Sequence, residues 1–175
     1  MQAGWAPVRQ IVTAPAQPEG LAELDALAEA MLGQADALVG ALESSGLAAT
    51  VGVVNLAGRQ RMLSQRMAKQ ALLAALAPGA GRRSADATAR DAALAETSQA
   101  LEQGLLTLAA SPLSTPEIRK GLADARTAWD ILRQGAGSAG TASGRLQLAA
   151  ASEDLLAVFD HLTDAYQHSI QVLMG

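Results

Sequence analysis

Asn55-Leu-Ala-Gly-Arg-Gln-Arg-Met-Leu-Ser-Gln-Arg-Met-Ala-Lys69 holds four basic side chains and no acidic one, at spacings that suit a helix. Its surroundings share the bias. Residues 50–85 contain no Asp or Glu, yet include Arg59, Arg61, Arg66, Lys69, Arg82 and Arg83, while the rest of the chain has seven basic and seventeen acidic residues. Charge segregated in this way marks a place for an anion or an acidic partner. The spacing predicts a helix over 51–77, about seven turns long, ended by Pro78-Gly79-Ala-Gly81. On it Val54, Gly58, Arg61, Gln65, Ala68 and Leu72 form one strip, being three or four residues apart. Gly58 costs a helix about 1 kcal/mol relative to alanine, and in return lets a backbone or ligand approach beside Arg61. Arginine offers a planar fork of donors that fits a carboxylate, phosphate or nitrate edge. Arg59, Met62, Arg66 and Lys69 occupy the neighbouring strip, adding positive potential and one soft apolar wall.

Outward from this helix the chain reads as more helices. Leu21, Leu24, Leu27, Met31, Leu38 and Leu42 recur at helical spacing after the turn Pro18-Glu-Gly20, with a break or soft point at Ser44-Ser-Gly46. Beyond the basic helix, Ser84 is placed to cap a helix running to about Ala110 through Leu94, Leu101, Leu105 and Leu108. Thr115, Pro116 and Glu117 supply an N-cap, a first helical residue and a first-turn acid for a helix reaching about Gln134. Residues 135–140, rich in glycine, are expected to be a flexible loop, and 146–173 the last long helix. The expected fold is all-α: an antiparallel four-helix bundle over 50–175, preceded by an extra helical segment.

That extra segment is a partial repeat. At an offset of 124 without a gap, Trp5, Arg9 and Gln10 meet Trp129, Arg133 and Gln134. In the same register Gly20, Leu24, Glu29, Asp36 and Leu38 meet Gly144, Leu148, Glu153, Asp160 and Leu162. Residues 1–46 therefore look like the second half of a preceding bundle, and the chain like a piece of a tandem protein. Both tryptophans are expected to be core anchors.

Composition narrows the function. Half of the residues are apolar, chiefly Ala and Leu, and only Trp5, Trp129, Tyr166 and Phe159 are aromatic. With a net charge of −4, this argues against a nucleic-acid surface, which needs basic patches and stacking rings. The absence of cysteine excludes disulfides and thiolate chemistry. No apolar run is long enough to span a membrane, and residues 1–10 lack the apolar core of a signal peptide. A cytoplasmic location stays open on these grounds.

Nothing supports an enzyme: there is no Gly-x-Ser-x-Gly elbow, and the glycines at 135, 137 and 140 are not followed by the Lys-Ser/Thr of a phosphate loop. His161, Asp164 and His168 share a helix face, but the histidines lie two turns apart, about 10.5 Å of rise, too far for one ion. No cofactor or metal is expected. For the basic helix the plain alternative is a solvated face, or pairing with Glu96, Glu102, Asp124 or Asp130 on adjacent helices. It would then dock an acidic protein partner and hold no small ligand.

The quoted stretch resembles the signature helix of the PilJ-type N-terminal domain of type IV pilus chemotaxis transducers. It is also similar to the P-box of NarX-type nitrate/nitrite sensor kinases. The resemblance covers 50–175, with 1–46 as the partial repeat. It implies an extracytoplasmic, periplasmic all-helical sensor, usually a homodimer, whose two P-box helices meet around a small oxyanion such as nitrate or nitrite. The P-box arginine three positions after glycine grips the ligand in that family, which here is Arg61. Gly58, Ala57 and Met62 match neighbouring ligand-lining positions; Asn55, Arg59, Ser64 and Arg66 match the rest of the motif. The family's sensors continue into a transmembrane helix and signalling modules, whereas this sequence stops at Gly175 without either. Two Arg61 side chains facing across a two-fold axis would repel, so a shared anion would couple binding to dimerisation.

Overall fold

The computed structural model describes residues 2–13, 20–44, 48–77 and 85–174. The expected breaks at Pro18, Ser45-Gly46 and Pro78 to Gly81, the Ser84 cap, and Arg82 and Arg83 lie outside them. The described residues form helices and no strand: α1 (Gln2–Thr13), α2 (Leu21–Ser44), α3 (Ala48–Leu76), α4 (Ala85–Ala109), α5 (Pro116–Ser138) and α6 (Ala142–Met174). The chain divides into two compact units, Met1–Val51 and Gly52–Gly175.

In the first unit α1 packs against α2. Pro7 sits within α1, where it removes one backbone donor. Val8 is buried, but Trp5 remains 54% exposed, contrary to its expected role as a core anchor. Among the described residues of this unit two helices share one mutual face, and Leu38, Val39 and Leu42 are exposed as well.

The second unit is built of packed helix pairs around one apolar cluster. Trp129, Tyr166, Phe159, Leu101, Ile118 and Leu155 are its largest fully buried side chains, joined from α3 by Ala57, Leu63 and Met67. Each such Leu or Phe contributes roughly 1.5–3 kcal/mol relative to exposure. Local chemistry sets the ends of α5 and α6. Thr115 adopts extended backbone and accepts from the Ile118 N–H at 3.2 Å, with Pro116 in the first turn.

The glycine-rich segment departs from expectation. α5 continues through Ser138, and only Ala139, Gly140 and Thr141 separate it from α6. Thr141 caps α6 by accepting from the Gly144 N–H at 3.0 Å, and the Arg145 guanidinium donates to the Ala139 and Gly140 carbonyls at 3.2 and 3.3 Å. Gly135 is present for proximity rather than flexibility: a Cβ there would lie 3.2 Å from the Leu148 Cα. At Gly144 a Cβ would fall 1.9 Å from the Ser138 carbonyl oxygen, so this position accepts only glycine.

Candidate functional site

Helix α3 carries every candidate ligand residue, and its rotation splits them. Ala57 and Ser64 face inward and are fully buried. The Ser64 hydroxyl is spent on the Arg61 carbonyl at 2.7 Å. Asn55, Gly58, Met62 and Arg66 are half-buried, and Arg59 is exposed. Arg61 lies between the two sets. Eight residues on one helix thus share an element without sharing a face, and Ala57 and Ser64 meet a solvent-borne ligand only if the bundle opens.

The strip through Gly58, Arg61 and Gln65 faces α6. Arg61 Nε lies 2.5 Å from Asp160 Oδ1, and these side chains stay 43% and 48% exposed. The contact is a charge pair, not an aligned hydrogen bond: Nε is shielded from solvent, yet no acceptor lies along its N–H. One turn on, the Gln65 amide donates to the Ser152 carbonyl at 2.9 Å. Advance along α3 from 61 to 65 is matched by retreat along α6 from 160 to 152, so the two helices run antiparallel. Gly58 is different. Among the described residues nothing comes within 4 Å of where its Cβ would be. The room it leaves beside Arg61 is not filled by any described residue.

Asp160 was not among the carboxylates that the sequence suggested as partners. Three of those four serve elsewhere. Glu102 accepts from Trp129 Nε1 at 3.4 Å and pairs with Arg133 at 3.2 Å. Asp130 lies 3.6 Å from Arg133, and Asp124 pairs with Lys120 at 2.5 Å. The available signal was an acid directly after Phe159 in a buried stretch of α6, and its repeat partner Asp36.

A second residue that sequence reasoning passed over is Gln60. It is fully buried on α3, and neither amide atom has a hydrogen-bond partner among the described residues. It presses on α4 at Gly104, where a Cβ would sit 1.9 Å from Gln60 Nε2.

Other surfaces fit an anion less well. An open groove of about 460 Å³ on α5 and α6 is lined by Ile131, Gln134, Ser138, Gln147 and Asp154 among others, with one acidic and no basic side chain. His161 is highly exposed and lies 4.0 Å from Glu117 Oε1. Among the described residues no three potential metal ligands cluster, and no helix is long and apolar enough to cross a membrane.

Comparison with known families places this geometry. Residues 42–155 match the family model for the N-terminal domain of type IV pili methyl-accepting chemotaxis transducers, PilJ, which spans all of α3, α4 and α5 and part of α6. The chain belongs to the PilJ family. No curated protein and no solved structure matches it. PilJ domains are sensor modules of chemotaxis transducers and are non-catalytic. The basic helix is therefore part of a PilJ sensor domain, with Arg61 at its contact with α6.

Proposed function

We propose that this PilJ domain is a periplasmic sensor that binds a small planar oxyanion, nitrate or nitrite, through Arg61. One observation carries the reading: a half-exposed arginine already engages a planar two-oxygen anion, the Asp160 carboxylate, beside the open flank of Gly58. A guanidinium that accepts one such group has the shape and charge for another. The likeness of 55–69 to a P-box supports nitrate in particular. Asn55, Arg59, Met62 and Arg66 border the flank, and a second α3 helix from another copy would close it, giving a site shared across a homodimer.

A ligand that binds the folded dimer raises its stability by mass action, about 2.7 kcal/mol at a hundredfold excess over Kd. Thermal melting and sedimentation with rising nitrate are expected to show a higher midpoint and more dimer. Absence of any shift at millimolar nitrate would sink the nitrate reading. Arg61→Ala is expected to abolish the shift; an unchanged response would move the site elsewhere.

The engagement of Arg61 by a protein carboxylate also favours a second reading, in which the basic helix docks an acidic protein segment. Binding of an acidic helical peptide that nitrate fails to displace would support it over the first.

A further inference from the structure

We infer that Asp160 is a built-in competitor for the anion at Arg61. Its carboxylate occupies the guanidinium, and an incoming oxyanion takes its place and unties α6 from α3. This rests on Arg61 as the anion contact and adds a regulatory partner to it.

Three features carry the inference. Asp160 Oδ1 stands 2.5 Å from Arg61 Nε, where an oxygen of an anion bound at the Nε edge would sit. Two anions cannot share one guanidinium edge at that distance without strong repulsion, so occupancy is exclusive. The pair is also weak enough to yield. Both side chains are about half exposed, and Nε gains no aligned hydrogen bond from the contact. Exposed pairs of this kind are readily displaced by solvent and salt.

The surroundings give the exchange a mechanical sense. Asp160 stands between Phe159 and Leu162, both fully buried, so its backbone is fixed by the core while its carboxylate reaches out to α3. The Gln65–Ser152 bond is another polar tie between α3 and α6. That bond lies on the same strip as Arg61. An anion on Arg61 thus reports to α6 through release of a contact, with no new contact to α6 required.

The test is nitrate binding, by calorimetry, to the full chain as wild type, Asp160→Asn, Asp160→Ala and Arg61→Ala, each checked for helicity by circular dichroism. Removing the competing charge is expected to tighten nitrate binding about two- to fivefold, the scale of a half-exposed ion pair. Both Asp160 variants should agree, which separates the charge effect from a packing defect in one of them. The side-chain Nε–Hε resonance of Arg61 should shift on Asp160→Asn in the absence of nitrate, and respond to nitrate at lower concentration than in wild type. Equal nitrate affinity in wild type and Asp160→Asn overturns the competition while leaving Arg61 as the site. Weaker binding in Asp160→Asn also overturns it, since the acid would then be supporting the site. Binding in the Asp160 variants but not in wild type supports it in its strongest form. Failure of wild type and both variants to bind up to 100 mM nitrate (about 1.4 kcal/mol of affinity) overturns the competition and the oxyanion reading together.

Discussion

Gln60 is the residue at which the packing of this domain is most exposed to test. Its amide is buried without a partner among the described residues and is pressed against Gly104 on α4. An unsatisfied buried amide costs about 1–3 kcal/mol, so the pair is a costly arrangement held in place by the apolar residues around it. Gly104→Ala would ordinarily stabilise a helix by about 1 kcal/mol. Here the added methyl must displace the Gln60 head, and overpacking typically costs about 1–3 kcal/mol. Urea melts of Gly104→Ala, Gln60→Ala and the double variant are expected to show a coupling of at least about 1 kcal/mol, with Gly104→Ala tolerated once Gln60 is shortened. Strict additivity would disprove the contact. The sequence marked Arg61 for attention because charge and a neighbouring glycine are local signals. It could not mark Asp160 or Gln60. One is a helix surface acid like many others, and the other is a glutamine whose burial depends on which side of α3 the core lies. Partner choice between residues on α3 and α6 follows from helix register, which no local pattern encodes.

At the scale of elements, the helices were legible wherever caps and apolar periodicity coincided. Thr115-Pro116-Glu117 announced the start of α5, and the structure has that cap. The stretch 135–140 misled because glycine composition signals a loop only when no neighbour needs the space. Gly135 instead admits the Leu148 backbone, and Gly144 admits the Ser138 carbonyl. These are tertiary requirements met inside helices. They make a sharp contrast measurable within one hairpin. Gly144→Ala, with backbone in the way at 1.9 Å, is expected to cost at least about 2 kcal/mol. At about 2–4 °C per kcal/mol for a chain of this size, thermal melting should fall by 4 °C or more. Gly137→Ala, whose Cβ would meet nothing within 4 Å among the described residues, should be neutral or stabilising by up to about 1 kcal/mol. Equal melting of the two variants would disprove the tight turn.

For the molecule as a whole, the repeat at an offset of 124 shows how little sequence register decides burial. Trp129 and Leu162 are 1% exposed, whereas Trp5 and Leu38 in the same register are 54% and 47% exposed. Among the described residues, Trp129 and Leu162 belong to the buried cluster that α3 to α6 share, whereas Trp5 and Leu38 lie on α1 and α2. The larger unit also has a stability handle that reads its core directly. Tyr166 is buried in it and donates to the Leu108 carbonyl at 3.0 Å, and burial pushes its phenol up from 10.0 to about 12. The fold favours the neutral phenol, so its contribution is fully present below the unfolded value near 10. It is lost as pH rises from there to about 12, because the unfolded chain gives up the proton first. The loss amounts to at most about 2–3 kcal/mol. Urea melts between pH 9 and 12 should therefore fall more steeply for wild type than for Tyr166→Phe, although the variant starts lower at pH 8 (about 1 kcal/mol for the lost bond). Tyr166 is the single tyrosine, so phenolate absorbance follows the same group without ambiguity. Parallel slopes would show that the phenol is not held neutral by the fold.

Helix α6 runs unbroken for 33 residues, from Ala142 to Met174. At 1.5 Å per residue it is a rod about 50 Å long, with Asp160 about 21 Å from Met174. A continuous hydrogen-bonded rod resists compression along its axis, so it has no joint in which to dissipate a slide. Any axial shift of α6 at Asp160 would therefore arrive undiminished at Met174, about four turns away.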